Sequence, residues 1–496
     1  MYKIRQVKYS SDSVSIQVYK IINRKRVIIR HIGTARTDQE KADLIILAQD
    51  FIYKVSKQLS LFEDTQASTL FSLDHCEFIG IYYSFLHEVL SKIIINIGYD
   101  KVGKTLLLDL VIMRIVEPAS KLHSIELLEQ YFGIRHRRQK YYESAKEWLS
   151  LKSKVESITV KFAKKQYGFN YDILFYDVTT LYFETFEEDV LRKNGFSKDN
   201  KSQQPQVVVA LMVSKEGFPV AYEIFPGNTF EGHTIIPVVK RFIKQNRVKH
   251  ITVIADAAMI STENIQQLKE NNINYIVGAR LGNLSHKLIE EINEKVPREE
   301  GKSARLVLEN GYLICNYSPL RYRKDKHEMD KQIDKAKQVI EYPTKNKKLK
   351  FTTSTGQRLE LNEKLIEKTE KLLGIKGYHT NLEEHLVDNQ TIINRYHELY
   401  RIEQAFRISK HDLQTRPIFH YKEEPIKLHL LICFMALAIS KHIEIQSDIS
   451  IKRFIQEAKK ITDGRLKNKI TQKETRLRVS LNDKILAILR KLNLLT

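Results

Sequence analysis

The sequence predicts a mixed α/β protein: a sheet of mixed direction in the middle of the chain, with flanking helices and helical regions before and after it. Two observations predict the sheet. Residues 173–176, 206–213 and 219–225 are apolar runs of strand length, the last two joined by the turn Lys215-Glu216-Gly217, and together they can form a meander. After them helix and strand patterns alternate over 234–245, 250–255, 261–270 and 275–277, the texture of a layered α/β sheet. A third observation predicts the flanks. Apolar residues recur at helical spacing through 78–167 and again from Thr391.

At the start of the chain Val14, Ile16 and Val18 alternate with polar residues, Asn23-Arg24-Lys25 supplies a turn, and 27–32 returns as the second strand of a hairpin. Thr37-Asp38 opens a helix to about Lys57, so 1–70 reads as a hairpin-and-helix unit. The helical region is 71–168. In it Asp100 is placed to cap a helix whose apolar run, 106–116, stops at Pro118, and the next helix, 120–131, ends at Gly133. A basic cluster follows, Arg135, Arg137, Arg138 and Lys140, and then helical segments carrying Trp148 and 155–162. The sheet occupies 169–280. Between 281 and 390 the order breaks down into a Lys-rich insertion, where 321–350 holds 11 Lys/Arg against 5 Asp/Glu. The strong helix from Thr391 and the apolar helix 428–439 return to the sheet domain as 391–441. The tail, 442–496, is basic and amphipathic, with 13 Lys/Arg against 4 Asp/Glu from Ile451 onward.

Composition narrows the class of partner. Of 496 residues, 81 are Lys or Arg and 60 Asp or Glu, a formal net charge of +21, which points to a polyanion and first to nucleic acid. A hydrophobic share of 42% with only 18 Gly and 10 Pro excludes a disordered or collagenous chain. Cys76, Cys315 and Cys433 are too far apart for a disulfide scaffold or zinc knuckle, and Cys433 with His429 one turn away offers only two ligands. Three inert thiols fit a reducing compartment. Met-Tyr-Lys-Ile-Arg-Gln lacks the apolar core of a secretory signal. The longest apolar run, 430–439, falls short of the roughly 18–20 residues of a membrane span. The expectation is a cytoplasmic protein with no membrane partner and no small-molecule cofactor.

Two aspartates follow apolar strands, Asp177 after Ile-Leu-Phe-Tyr and Asp256 after Ile-Thr-Val-Ile-Ala. Carboxylates at strand ends on one sheet edge can converge rigidly, although an Asp after a strand is also a common turn starter or helix cap. A third element sharpens the pattern. Tyr396, Glu403 and Lys410 are seven residues apart on one helical stretch, so they drift by only about 20° per step. Tyr400 and Arg407, three before and four after Glu403, share that stripe. Its alternative is a solvated face with a Glu403–Arg407 surface pair, against which Ile402, Ala405, Phe406 and Ile408 leave little wholly polar circumference.

Asp177-Val-Thr-Thr, Ala255-Asp256-Ala257-Ala258-Met259-Ile260-Ser261 and Tyr396…Glu403…Lys410 resemble the motifs of DDE transposases of bacterial insertion sequences, in the branch whose third motif reads Y-x2-R-x3-E-x6-K. Phe225-Pro226-Gly227-Asn228-Thr229-Phe230-Glu231-Gly232-His233-Thr234 is similar to that branch, as are Phe406-Arg407, Asp412-Leu413 and Arg416-Pro417-Ile418. The resemblance covers about 171–439. It implies an RNase H-like catalytic domain, in which Asp177, Asp256 and Glu403 hold two Mg2+ ions, with Mn2+ as a substitute. Asp177 would bridge both ions, Asp256 hold one and Glu403 the other. Hard divalent ions take oxygen ligands, and two of them can activate a water and stabilise a leaving oxygen. Arg407 and Lys410 would grip phosphates and Tyr396 the DNA backbone. The implied reaction is cut-and-paste transposition on double-stranded DNA, both transposon ends and target, by a homodimer in the DNA complex, through a hairpin in this branch. One departure matters: the motif arginine position is Leu399 here, and of Arg407 and Arg401 the former is better placed to replace it. The family also implies an insertion aromatic that stacks on a flipped base. Trp148 lies outside the insertion, which leaves Tyr312, Tyr317 or Tyr322.

Arg135, Arg137 and Arg138 are either part of a helix-turn-helix-like reader of the ends or a sequence-independent phosphate grip. His233 reads as a helix start rather than a catalytic base, and His379 and His385 as structural. Two other functions fit the pattern: an RNase H-like nuclease that cuts without joining, and a non-enzymatic DNA-binding repressor derived from a transposase.

Overall fold

A computed structural model describes residues 2–9, 13–56, 76–196, 203–259, 261–342, 349–355, 358–418, 420–468 and 474–495. The chain forms two compact units. One comprises Lys92–Ser124 and Arg137–Ile451, the other Met1–Ser91, Ile125–His136 and Lys452–Thr496.

The larger unit contains the expected mixed sheet. The meander is β1 (Leu174–Tyr182), β2 (Gln206–Ser214) and β3 (Pro219–Pro226), all antiparallel, and β4 (Thr252–Ala255) runs parallel to β1 and to β5 (Asn274–Ala279). Every residue of β2 is buried, as a continuous apolar strand covered on both faces should be. The helices α1 (Lys152–Tyr167), α2 (Ile235–Asn246) and α3 (Thr262–Glu270) flank this sheet. Buried Glu156 of α1 accepts two bonds from Arg241 of α2, at 2.8 and 3.1 Å, and one from the Tyr222 amide of β3, which joins three elements at one carboxylate.

The described residues of the insertion form regular elements, where the Lys-rich pattern suggested that order breaks down. Its strands β6 (Ser303–Leu308), β7 (Gly311–Tyr317) and β8 (Ile375–Thr380) extend the same sheet, in the order β6-β7-β8-β5-β4-β1-β2-β3. Between β7 and β8 lie α4 (Pro319–Glu341), the short hairpin Thr352–Thr355 and Arg358–Leu361, and the helix Glu363–Glu370. The pairing of β8 with β5 links residues about a hundred positions apart, and local periodicity carries no trace of such a partner.

The stretch from Thr391 is not one regular helix. α5 (Asn389–His397) ends, Glu398 and Leu399 form a turn, α6 (Tyr400–Arg407) follows, and Ile408–Asp412 widens into a π turn closed by Leu413 N–H to Ile408 O at 2.9 Å. The apolar helix α7 (Glu423–Ser447) is longer than expected and, by length and composition, could cross a membrane, but 89% of its apolar window is buried in this unit. Its exposed-face requirement is met by protein: it packs on Thr105–Val116, Arg138–Leu149, α1 and β3. Asp100 does not cap the helix Thr105–Val116. It lies in a 3-10 turn, Tyr99–Val102, and the cap residue is Lys104.

In the smaller unit, Tyr2–Lys8, Val14–Ile22 and Lys25–Ala35 form an antiparallel sheet, covered by Asp38–Ser56. Asn23 and Arg24, at φ 50° and 63°, make its two-residue turn. Lys57 and the 70/71 boundary fall outside the described residues. The expected helix at 78–82 is instead a strand, Cys76–Tyr82, and the tail is not helical throughout. Its strands Asp463–Asn468 and Glu474–Arg478 complete a second sheet with Cys76–Tyr82. Arg478 donates to fully buried Asp463 at 2.7 and 2.9 Å, so the tail strands are locked by a forked ion pair.

A candidate active site on one rung of the sheet

Asp177 is inside β1 rather than at its end, yet the reason for singling it out holds in another form. The parallel ladder between β1 and β4 stops at Tyr176 and Ala255. Asp177 and Asp256 are the next residue on each strand, so both lie one rung beyond the last pair, on neighbouring strands about 4.8 Å apart. β1 continues past β4 because β2 still pairs with it, Asp177 opposite Leu211.

The same rung runs on across the sheet through Gly278 of β5 and its partner Tyr378 of β8. Above it stands Tyr396, on α5. The Tyr396 hydroxyl donates to Asp256 Oδ1 at 3.3 Å, and its ring meets that of Tyr378 edge-on at 4.9 Å. Gly278 makes room for this reach: a Cβ there would come within 2.5 Å of the Tyr396 oxygen. Burial, and then the Asp256 charge, push the Tyr396 phenol well above its ordinary range, so it remains a donor.

Glu403 lies on α6, exposed, and α6 packs on β1 and β2. By the alternation of the strand, Asp177 shares its face with Thr179 and Leu181, which line a small cavity with Phe406 and Ser409 of that helical stretch. Asp256 and Glu403 both act electrostatically on Tyr396 and on Lys376. Among the described residues, however, no three His, Cys, Asp or Glu side chains are gathered closely enough to hold a metal ion. The two aspartates thus stand at neighbouring positions on adjacent strands, and among the described residues no third carboxylate closes on them. Their donor set, carboxylate oxygen with Asp256 exposed, is the chemistry a hard divalent cation takes, and Mg2+ commonly uses one or two carboxylates.

The break at Glu398–Leu399 and the π turn separate the residues that one regular helix would have aligned: Tyr396 is on α5, Glu403 and Arg407 on α6, Lys410 in the π turn. Such turns are frequent at functional sites. Leu399 is buried at the helix break. Arg401 pairs with Glu398 at 3.5 Å and lies against Gly217 of the β2–β3 turn, which faces the Leu174 end of β1. Arg407 is exposed one turn beyond Glu403.

Sequence reasoning missed three residues. Lys376 of β8 holds its ammonium 4.7 Å from the Tyr396 ring centre and 5.5 Å from that of Tyr378. Burial and neighbouring Arg321 lower its pKa, while Asp256 and Glu403 oppose the shift. Buried Asn264 of α3 donates to Gly232 O at 2.6 Å and to Met259 O at 2.8 Å, tying the 226–234 loop to the turn that follows Asp256. On the other side of that loop, the Tyr176 hydroxyl donates to Thr234 Oγ1 at 2.7 Å. Arg305 of β6 donates to Asn389 Oδ1 and to the carbonyls of Leu382 and Val387, fixing the start of α5. None of the three carried a local signal. Each acts across a long sequence separation.

The remaining candidates are elsewhere. Arg135 pairs with Glu129 at 2.7 Å on the surface, Arg137 is the cap residue of Arg138–Leu149, and Arg138 begins that helix. Trp148 is buried against Tyr141. Tyr317 and Tyr322 stack at 6.2 Å, and Tyr312 lies under Arg305. His233 is exposed in a 3-10 turn before α2. His385 pairs with Glu383, and burial pushes His379 down to about 4. Cys433 and His429 are 3.6 Å apart, but His429 is engaged by Lys121 Nζ at 3.0 Å and by the Thr415 carbonyl. Ile260, in the Asp256 motif, lies outside the described residues.

No curated protein matches the chain. Among solved structures, it resembles a piggyBac transposase in a synaptic complex with hairpin DNA, at 10% identity and a TM-score of 0.34, over 58% of this chain and 51% of that one. The chain thus spans about half the length of that relative. Residues 168–439, the segment that carries both aspartates, the tyrosine and Glu403, match the family described as the transposase DDE domain, and the chain belongs to that family.

Proposed function

We propose that this chain is a DNA transposase that binds the inverted-repeat ends of its element, cleaves them by metal-dependent phosphodiester hydrolysis, and joins the freed 3′-OH ends to target DNA. The observation that carries the reading is the single rung, within the family segment, on which Asp177 and Asp256 occupy adjacent strands and Tyr396 donates to Asp256. The order β3-β2-β1-β4-β5 supports an RNase H-like catalytic domain made of 169–280 and 391–441.

Asp177, Asp256 and Glu403 would hold two Mg2+ ions, or Mn2+ in their stead, which when bound supply an activated water and a stabilised leaving oxygen. The chain's own groups do the rest. Tyr396 holds Asp256 by its hydroxyl and contacts the DNA backbone there. Arg407 and Lys410, exposed and half-buried beyond Glu403, take phosphates beside the scissile bond. Arg135, Arg137 and Arg138 contact DNA as well. Two ends must be paired, so the working form is a homodimer on double-stranded DNA, acting in the cytoplasm at the nucleoid of a bacterium.

The test is nicking of a labelled duplex carrying the terminal repeat, with Mg2+. Asp177→Ala, Asp256→Asn and Glu403→Gln should each abolish nicking while gel-shift affinity stays within a few-fold. A variant that nicks at the wild-type rate removes that residue from the site. Nicks without joined products indicate a nuclease, and neither product indicates a repressor.

A further inference from the structure

We propose that Lys376 is a DNA-contacting residue of this site, its ammonium taking a backbone phosphate of the strand that lies against Asp256. The inference rests on the DNA-cleaving reading above and adds a residue that belongs to none of the family motifs. Lys376 is half-buried on β8, two residues from Tyr378, and its ammonium faces the rings of Tyr396 and Tyr378. Among the described residues, no carboxylate is within salt-bridge distance of it. The ring faces offset part of the cost of holding an ammonium there, by about 0.5–2 kcal/mol, and an anion would offset the rest.

The surroundings say which anion. Tyr396 connects the lysine to Asp256: the ammonium stands over the ring whose hydroxyl reaches that carboxylate. A DNA strand approaching the aspartates brings a phosphate into an acidic centre, and a cation beside it lowers the repulsion. At the motif's arginine position the chain offers no cation, because Leu399 is buried there and Arg401 is turned to Glu398. Lys376 also forms the wall of a cavity of about 490 Å3 beside the rung, lined further by Arg321, Lys350 and Lys368. Two of these are committed, Arg321 to Asp325 at 3.2 Å and Lys368 to the Leu284 carbonyl at 3.2 Å. Lys376 is the cation of this wall that stands next to the carboxylates.

The full chain is titrated with the terminal-repeat duplex in metal-free buffer across a salt series, as wild type, Lys376→Met, Lys376→Gln and Lys376→Arg. Loss of one phosphate contact makes the slope of log affinity against log salt shallower by about 0.9, which is roughly eight-fold weaker binding at 0.1 M salt relative to 1 M. Both neutral variants should show that change, and Lys376→Arg should keep the wild-type slope. Either neutral variant binding with the wild-type slope overturns the proposal. So does Lys376→Arg losing the slope as fully as Lys376→Met, since that marks a role in packing the tyrosine rings rather than in charge. The two neutral variants differ in shape, so failure of one to fold leaves the other to decide. Because the titration requires no cleavage, the two failures are distinct: a wild-type chain that binds but never nicks with Mg2+ defeats the DNA-cleaving reading, while the salt slopes alone decide whether Lys376 contacts a phosphate.

Discussion

At the scale of single residues the site depends on an atom that is missing. Gly278 sits on the rung beside Asp256, and the absence of its Cβ leaves the space through which Tyr396 reaches the carboxylate. Gly278→Ala would put a methyl group 2.5 Å from the phenol oxygen and 3.2 Å from Cζ, so the ring must move. We expect a loss of about 1–3 kcal/mol, as for overpacking elsewhere, together with a large fall in nicking. Tyr396→Phe removes the clashing oxygen. Combined with Gly278→Ala it should therefore recover part of the stability while leaving nicking low, a coupling that a double-mutant cycle by denaturant unfolding would measure. Additive effects of the two substitutions would refute the contact. Gly227, in the 226–234 loop, answers a similar demand: a Cβ there would meet the Gln206 and Lys193 carbonyl oxygens.

At the scale of elements, the two aspartate strands are tied together by a loop and a helix as well as by their own ladder. Tyr176 binds Thr234 on one side, and Asn264 binds Gly232 and Met259 on the other, so β1, the 226–234 loop and the turn after Asp256 form one hydrogen-bonded belt. Removing Asn264 leaves two carbonyl acceptors without that donor, at about 1–3 kcal/mol. Asn264→Ala should therefore lower both stability and nicking rate. Gel-shift affinity should hold, because no cation is lost. A drop in affinity matching the drop in rate would argue against a positioning role. The apolar strands that carry the aspartates, the hairpin start and α7 were legible because strands and helices leave a periodic trace, although Asp177 lies within its strand and not at the end that the pattern indicated. Lys376 was not, being one lysine in a segment rich in them, on a strand whose partner β5 lies about a hundred residues earlier. The break at Leu399 was invisible for another reason. Its residues keep helical spacing, and only the tertiary packing of α5 and α6 shows that two short helices replace one.

At the scale of the whole molecule, burial has been extended to basic groups, and acid should expose that. Burial holds His379, His420 and His442 at about 4 each, against about 6.5 in an unfolded chain. His429 is lowered further in the same direction by burial and by Lys121 and Arg114. For each, the folded pKa is the lower one, so the unfolded chain binds the proton first as pH falls. The stability these groups contribute is complete above about pH 6.5 and is lost as pH drops toward about 4. Each can remove up to about 1.4 kcal/mol per pH unit within that window. The ion-paired carboxylates Glu88 and Asp463, held below their ordinary range, add their own loss only at lower pH. Unfolding by denaturant between pH 5 and 7.5 should therefore show stability rising steeply with pH. His379→Gln should make that dependence shallower, because one titrating site is gone and no other buried charge depends on it for a partner. A flat profile over this range would mean that the imidazoles are solvated in the folded chain, and that the interior on which the aspartate rung is mounted is looser than its packing indicates.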